Sequence, residues 1–76
     1  MNKIHLSDLP MNKAGKVISL NCSGPIRRRL LDLGIVNKTN IIPVLKSPSG
    51  DPTAFFVRGS IIALRKEDAS LIDVEI

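Results

Sequence analysis

The residues that could carry chemistry in this 76-residue chain are few. There is one histidine, His5, and one cysteine, Cys22, and nothing in the sequence places them side by side as a nucleophile and its base. No CxxC or HxxxH spacing for a metal ion is present, nor a GxxxxGK[ST] loop for a nucleotide. The sequence therefore predicts no enzymatic activity, no cofactor and no metal site, with Cys22 as a small structural residue.

The charged residues are unevenly distributed along the chain. Residues 1–65 carry ten Lys or Arg against three Asp, whereas residues 66–76 carry one Lys against four acids. The acids Asp68, Asp73 and Glu75 are interpreted as solvated surface. A basic body with an acidic tail indicates an acidic partner or a mildly polarised surface. Phe55 and Phe56 point to opposite faces of a strand, so at most one could stack on a base and no specific nucleic-acid binding is expected.

Three adjacent arginines, Arg27 to Arg29, are the most conspicuous charged group. On a helix they diverge by about 100° per residue, so they do not form one patch. Arg28 can pair with Asp32 one turn later, while its two neighbours flank an apolar stripe. That stripe consists of Ile26, Leu30 and Leu33. A solvated helix face is the favoured interpretation, and contact with an anion or a partner is the alternative.

Leu31 lies off this stripe, beside Arg27. It either completes the small core or is exposed for a partner, and the sequence favours neither alternative. An apolar side chain next to an arginine is a suitable interface anchor, because arginine is enriched at interfaces. We therefore hypothesise that Arg27 and Leu31, on the helix and beside the strand that follows it, bind a partner protein.

The elements that position these residues are mainly β-strands. Ser23 as N-cap, Pro25 in the first turn and Gly34 after the last turn predict one α-helix at about 24–33. A short helical turn is expected near 66–70, and Pro43 predicts an edge position or a bulge in its strand. The predicted strands cover 16–21, 39–47, 53–58, 60–65 and 71–76, with a hairpin loop at 48–52. About five short strands and one helix indicate a single small β-barrel domain over residues 1–76.

A single cysteine cannot form an internal disulfide, which is typical of a reducing, cytoplasmic location. The first residues contain no apolar run of signal-peptide length, and the apolar runs further on are far shorter than a membrane span. Contact with a membrane is therefore expected only through a partner.

Three motifs give the chain a family resemblance: "RRLLDLG" at 28–34, "GDP" at 50–52 and "VRGSIIALRKEDA" at 57–69. In this order and spacing, from Leu6 to about Val74, the sequence resembles the ferrous iron transport protein A (FeoA) family of small SH3-like barrels. The resemblance implies a non-catalytic, cytoplasmic accessory protein of ferrous iron uptake. It also implies that the chain binds FeoB, the membrane transporter that carries its own GTP-binding domain. The family has no established catalytic residues to carry over.

Two further points follow from the resemblance. Related barrels form the C-terminal domains of iron-dependent repressors, so a regulatory module is the alternative function, although these 76 residues contain no helix-turn-helix segment. The family often has Pro-Gly where this chain has Met11-Asn12 and Asn37-Lys38. Both pairs are expected to be turns. Lys38 lacks the tolerance of glycine for positive φ, so Asn37 is the residue of its pair expected to adopt that conformation.

Overall fold

The computed structural model describes residues 2–76, and within them the chain is mainly β. Six strands form one antiparallel sheet in the order β1-β6-β2-β3-β4-β5. A 3₁₀ turn (Leu6–Asp8) follows β1, and two helices, α1 (Gly24–Asp32) and α2 (Lys66–Ala69), join strands further on. The strands are β1 (Lys3–His5), β2 (Gly15–Leu20), β3 (Asn40–Lys46), β4 (Thr53–Val57), β5 (Ser60–Leu64) and β6 (Ile72–Glu75).

The core is mostly aliphatic and receives buried side chains from β2 to β6, while Ile4 of β1 is partly buried against it. Alternation along β4 buries Phe55 and Val57 and leaves Phe56 on the outer face, as predicted for adjacent residues of a strand. Leu30 of α1 is fully buried against the same cluster, so the helix covers one opening of the curved sheet. The cluster comprises Leu6, Leu9, Val17, Leu30, Ile35, Ile41, Phe55, Val57, Leu64, Ala69, Ile72 and Val74.

Helix α1 ends as the sequence predicted. Gly34 has φ 90°, and the N–H groups of Ile35 and Gly34 donate to the carbonyls of Leu30 and Leu31 at 3.1 and 3.0 Å. This is a Schellman motif, with its usual apolar contact supplied by two buried residues, Leu30 and Ile35. Ser23 occupies the N-cap with extended backbone, but its side chain makes no capping hydrogen bond. The helix therefore depends on its C-terminal cap and on the burial of Leu30.

The strand predictions were confirmed for β2 to β6, and the helical turn near 66–70 is α2. Pro43 lies in an interior strand, and a register shift between Pro43 and Leu45 shows that the bulge alternative is correct. The sequence predicted about five strands and missed strand β1, so the sheet has six. Three residues of mixed character carry no strand signal of their own, and β1 forms because β6 offers a free edge.

Within residues 2–76, three turns place a non-glycine residue at positive φ, and the first of these residues is Asn12, with φ 67°. Lys38 has φ 73°, so the expectation that Asn37 would adopt this conformation was wrong. The Lys38 N–H donates to the Val17 carbonyl at 2.7 Å, which ties this turn to β2 and selects its conformation. Arg58 and Gly59 form the two-residue loop between β4 and β5, with φ 50° and 84°. Two positive φ values in a two-residue hairpin loop are typical of a type I′ turn.

Candidate partner-binding surface

Helix α1 buries one side chain and exposes the rest of its apolar residues. Leu30 has no exposed surface, but Ile26 is 45% exposed and Leu33 is 37% exposed. The predicted stripe of Ile26, Leu30 and Leu33 is therefore wrong as a core face. Leu30 is the residue of α1 that joins the buried core cluster, so the helical periodicity of the three residues does not mark a core face.

Leu31 is 37% exposed and does not belong to the buried core cluster, so the alternative that it completes the core is wrong. Arg27, one turn earlier on the same side of α1, donates from Nη1 to the Leu20 carbonyl at 3.3 Å. That contact holds the side chain of Arg27 against the end of β2 through its guanidinium, while the residue stays exposed. The structure thus brings Arg27 and Leu31 together on a solvent-facing flank of the helix.

The other two arginines differ from each other. Arg29 forms an ion pair with Asp68 at 2.6 Å, and this contact ties α1 to α2. Among the ion pairs of residues 2–76, none joins Arg28 to Asp32, contrary to the expectation from their spacing. An exposed ion pair on one helix stabilises the helix by only a few tenths of a kcal/mol. The side chain of Asp68 is 13% exposed, so it offers Arg29 a partner that is better shielded from water.

Asp73 was predicted to be solvated surface, and this was wrong, since it is 3% exposed. It lies in β6 between β1 and β2, where neighbouring strands surround it with donors. Its carboxylate accepts hydrogen bonds from Asn21 at 2.9 Å and Ser19 at 3.0 Å, and it contacts His5 Nδ1 at 2.9 Å. Lys3 Nζ lies 3.5 Å away.

The donors around Asp73 lower the pKa of its carboxyl. The hydrogen bond from Asn21 is the largest cause, and burial opposes it by disfavouring the charged form. Ser19, His5 and Lys3 each add to the lowering. Sequence reasoning missed this cluster because its members, Lys3 and Asp73 among them, lie up to 70 positions apart in the sequence. The only signal in the sequence was that an acid interrupts the apolar residues of the segment that forms β6.

The remaining candidates for chemistry are used structurally. The His5 ring contacts Asp73, and Cys22 is half-buried against the core cluster. Within the described residues, no three His, Cys, Asp or Glu side chains are grouped closely enough to hold a metal ion. Over the same residues, no helix has the length and apolar character needed to cross a membrane.

A small, mainly β domain with one six-stranded antiparallel sheet and two short helices belongs to the SH3-like class of folds. The chain belongs to the FeoA domain family, whose model matches residues 4–76. FeoA is a small accessory domain of ferrous iron transport and not a known enzyme class.

One curated relative is a fusion of Fe(2+) transport protein A with the Fe(2+) transporter FeoB from Porphyromonas gingivalis. The two sequences are 30% identical over 73 residues, which is 96% of this chain and 9% of the relative. The chain therefore spans only a small part of that protein.

Two solved structures share the fold and about a third of the sequence. The FeoA-like protein of Clostridium acetobutylicum has a TM-score of 0.90 and 37% identity, covering 100% of this chain and 88% of that one. FeoA of Stenotrophomonas maltophilia, described as an SH3 domain protein complexed with zinc, has a TM-score of 0.82 and 32% identity. This match covers 92% of the present chain and 87% of the relative. The predicted family and SH3-like fold are confirmed.

The fold is also found in a manganese-dependent transcriptional repressor. The TM-score is 0.83 at 15% identity, over 95% of this chain and 40% of the repressor. At this identity the similarity concerns the fold alone.

Proposed function

We propose that this protein acts in ferrous iron uptake as a non-catalytic accessory that binds the cytoplasmic part of FeoB. The observation that carries the proposal is the Porphyromonas gingivalis relative, in which the matching domain is covalently joined to FeoB. Two domains fused in one chain are held at a high effective concentration, which suits partners that act together.

We further propose that Arg27 and Leu31 of α1 contribute to the FeoB-binding surface. Leu31 is exposed, and removing it from water is favourable only in a complex. Arg27 already has its side chain held against β2, so it loses less side-chain entropy on binding than a free arginine would. An anchored cation beside an exposed leucine favours a partner surface that presents a carboxylate next to an apolar pocket.

The test is direct binding to the isolated cytoplasmic domain of FeoB, with Leu31→Asp and Arg27→Glu made separately. Each variant is expected to weaken binding about tenfold or more, while thermal unfolding changes little because both side chains are exposed. Leu33→Asp is a matched control, since Leu31 and Leu33 have the same exposed fraction of 37% but lie on opposite flanks of α1.

These variants test the proposed binding to FeoB and the proposed binding surface separately. If wild-type protein fails to bind the FeoB domain, the proposed function is wrong. If it binds, and Leu31→Asp and Leu33→Asp weaken binding equally or not at all, the assignment of this flank is wrong. A large loss of thermal stability in Leu31→Asp would show that the residue belongs to the core.

A further inference from the structure

The outer face of strands β3 to β5 is apolar where water would favour polar side chains. The strand registers place Ile42, Phe56 and Ile61 side by side across the three strands. Phe56 is 41% exposed and Ile61 is 60% exposed. An antiparallel sheet with one face on the core normally has polar residues on its other face. This row therefore has no explanation in the packing of the domain itself.

The row ends at strand β5, which is an edge of the sheet because its only strand neighbour is β4. The two-residue loop makes Val57 and Ser60 a hydrogen-bonded pair. In the alternating antiparallel pattern, the N–H and C=O groups of Ile61 and Ala63 then point away from β4. Within residues 2–76, neither backbone has a hydrogen-bond partner outside the sheet. The same two residues thus offer free backbone groups at the edge and apolar side chains on the outer face.

Strand β5 also lacks the features that usually protect an edge from pairing. Its five residues, SIIAL, include no charged residue and no proline. Its register with β4 is unbroken over all five pairs, so no bulge turns the edge away. Natural sheets normally protect such an edge with a lysine, a proline, a bulge or a covering element. An exposed, apolar edge with a regular register is a template for one more strand.

The surroundings of this edge leave room for that strand and give it a charge preference. A groove of about 520 Å³ separates Ala63 from Leu33 of α1. At the loop end of β5, a concavity of about 560 Å³ is lined by Phe56, Lys38 and Arg58. Neither of these cations has an ion-pair partner within the described part of the chain.

The other end of the β5 edge is closer to neutral. Arg65 lies there beside Glu67, and both line the groove next to α1. The excess of positive charge is therefore at the loop end, where a negative side chain of an added strand would be stabilised.

A second copy of the chain does not fit this edge well. Antiparallel pairing of two β5 strands through their free groups would place Ile61 of each copy opposite Ala63 of the other. Counting outward, Arg58 in the loop of one copy would then lie near Lys66, the first residue of α2, in the other copy, at both ends of the new ladder. Like charges brought close together repel each other, and this dimer would have such a pair at each end. The charges therefore favour a different chain.

We propose that the free edge of β5 binds an extended segment of a partner protein by strand addition. The segment would carry apolar side chains at alternate positions, which extend the row of Ile42, Phe56 and Ile61, and a carboxylate at the end that meets Arg58. Backbone hydrogen bonds to Ile61 and Ala63 supply part of the affinity, and the side chains supply the selectivity. This inference does not depend on FeoB, since it concerns a different surface from Arg27 and Leu31.

The test uses a blocked heptapeptide, Glu-Val-Thr-Val-Thr-Val-Glu, titrated into the ¹⁵N-labelled protein and followed by amide chemical shifts. Carboxylates at both ends make the result independent of strand direction. Saturable shifts are expected, centred on Ile61 and Ala63. The same peptide with lysine at both ends should bind at least about tenfold more weakly.

Two variants locate the binding at the edge and at its cationic end. Ile61→Lys places a charge on an already exposed position and should weaken binding by about tenfold or more. Arg58→Asp reverses the charge and keeps the turn, because Asp-Gly is favoured in type I′ loops, so the preference should change to the lysine-ended peptide. Leu45→Lys, an equally exposed substitution in an interior strand, should leave binding unchanged.

The proposal is overturned if neither peptide shifts the β5 amides at concentrations up to about 1 mM. It is also overturned if Ile61→Lys and Leu45→Lys have equal effects. Sedimentation provides an independent check on the occupant. A wild-type dimer that Ile61→Lys converts to a monomer would show that a second copy occupies the edge, contrary to the proposal.

Discussion

The two edges of the sheet are built differently, although both strands are exposed along one side. β1 has three residues, two of which are Lys3 and His5, and both reach the Asp73 carboxylate in the neighbouring strand. β5 has five residues without a charge, and its Ile61 is 60% exposed. One edge is short, polar and joined to a buried acid, and the other is longer and apolar.

This difference separates a protected edge from an available one. A strand added beside β1 would have to desolvate the charged groups around Asp73. This desolvation costs more free energy than the new backbone hydrogen bonds would contribute. Beside β5, an added strand would cover Ile61 and extend an existing apolar row. The asymmetry therefore directs strand addition to one side of the domain and also keeps copies of the chain from stacking through β1.

The largest effect is expected where β1 is fixed to the sheet. Asp73→Ala would leave the side chains of Ser19, Asn21 and His5 without their shared acceptor and would remove the side-chain contacts of β1 to β6, while the backbone pairing of the two strands remains. We expect a loss of about 1–3 kcal/mol in the free energy of unfolding. For a domain of this size, each kcal/mol lowers the melting temperature by about 4–8 °C, which calorimetry would detect.

Glu75→Ala is the matched control for that prediction. Glu75 is the other acid of the same strand, and no ion pair of residues 2–76 includes it. Its removal should change the free energy of unfolding by no more than about 0.5 kcal/mol. Equal losses in the two variants would show that Asp73 is ordinary surface charge, and the contrast between the edges would disappear.

The pH dependence of stability gives a second test of the Asp73 cluster. The hydrogen bond from Asn21, together with Ser19, His5 and Lys3, lowers the pKa of Asp73 in the folded protein, against the opposing effect of burial. As the pH falls, the unfolded chain therefore takes up a proton on this carboxyl at a higher pH than the folded protein does. The stabilisation is complete above the ordinary aspartate pKa of about 4 and is lost as the pH falls through the lower folded value.

We therefore expect the wild-type free energy of unfolding, measured by urea denaturation, to decrease with acidification below about pH 4. Asp73→Asn, which cannot titrate, should show a flatter profile in the same range. Parallel profiles of the two proteins would mean that Asp73 has the same pKa in the folded and unfolded states.

Local signals in the sequence predicted much of the fold. Gly34 and the leucines before it predicted where α1 ends, and Pro43 predicted a bulge, because each depends on backbone geometry within a few residues. The family motifs added the SH3-like fold and the role in ferrous iron transport. Leu31 was left open between core and surface, and only the packing of α1 decided it.

The failures of sequence reasoning concern relations between distant strands. β1 exists because β6 pairs with it, and Asp73 is buried because β1 and β2 flank it. The sequence "SIIAL" was correctly read as a strand, but its position at the edge depends on the order of all six strands. Ile26 and Leu33 have helical periodicity, yet they stay exposed because the core below α1 has room for Leu30 alone.

The smallest effect is expected at the available edge, in a pair of identical substitutions. Ile61→Lys should change the free energy of unfolding by no more than about 0.5 kcal/mol, because the side chain is exposed and its backbone bonds are unaffected. Ile4→Lys in β1 should cost clearly more, since Ile4 is half-buried and packs against the core cluster. Chemical denaturation of both variants under one condition measures the difference directly. An equal or larger loss of stability from Ile61→Lys would show that the apolar side chains on the outer face of β5 contribute to folding. Those side chains would then already be used by the domain and would not be available to a partner.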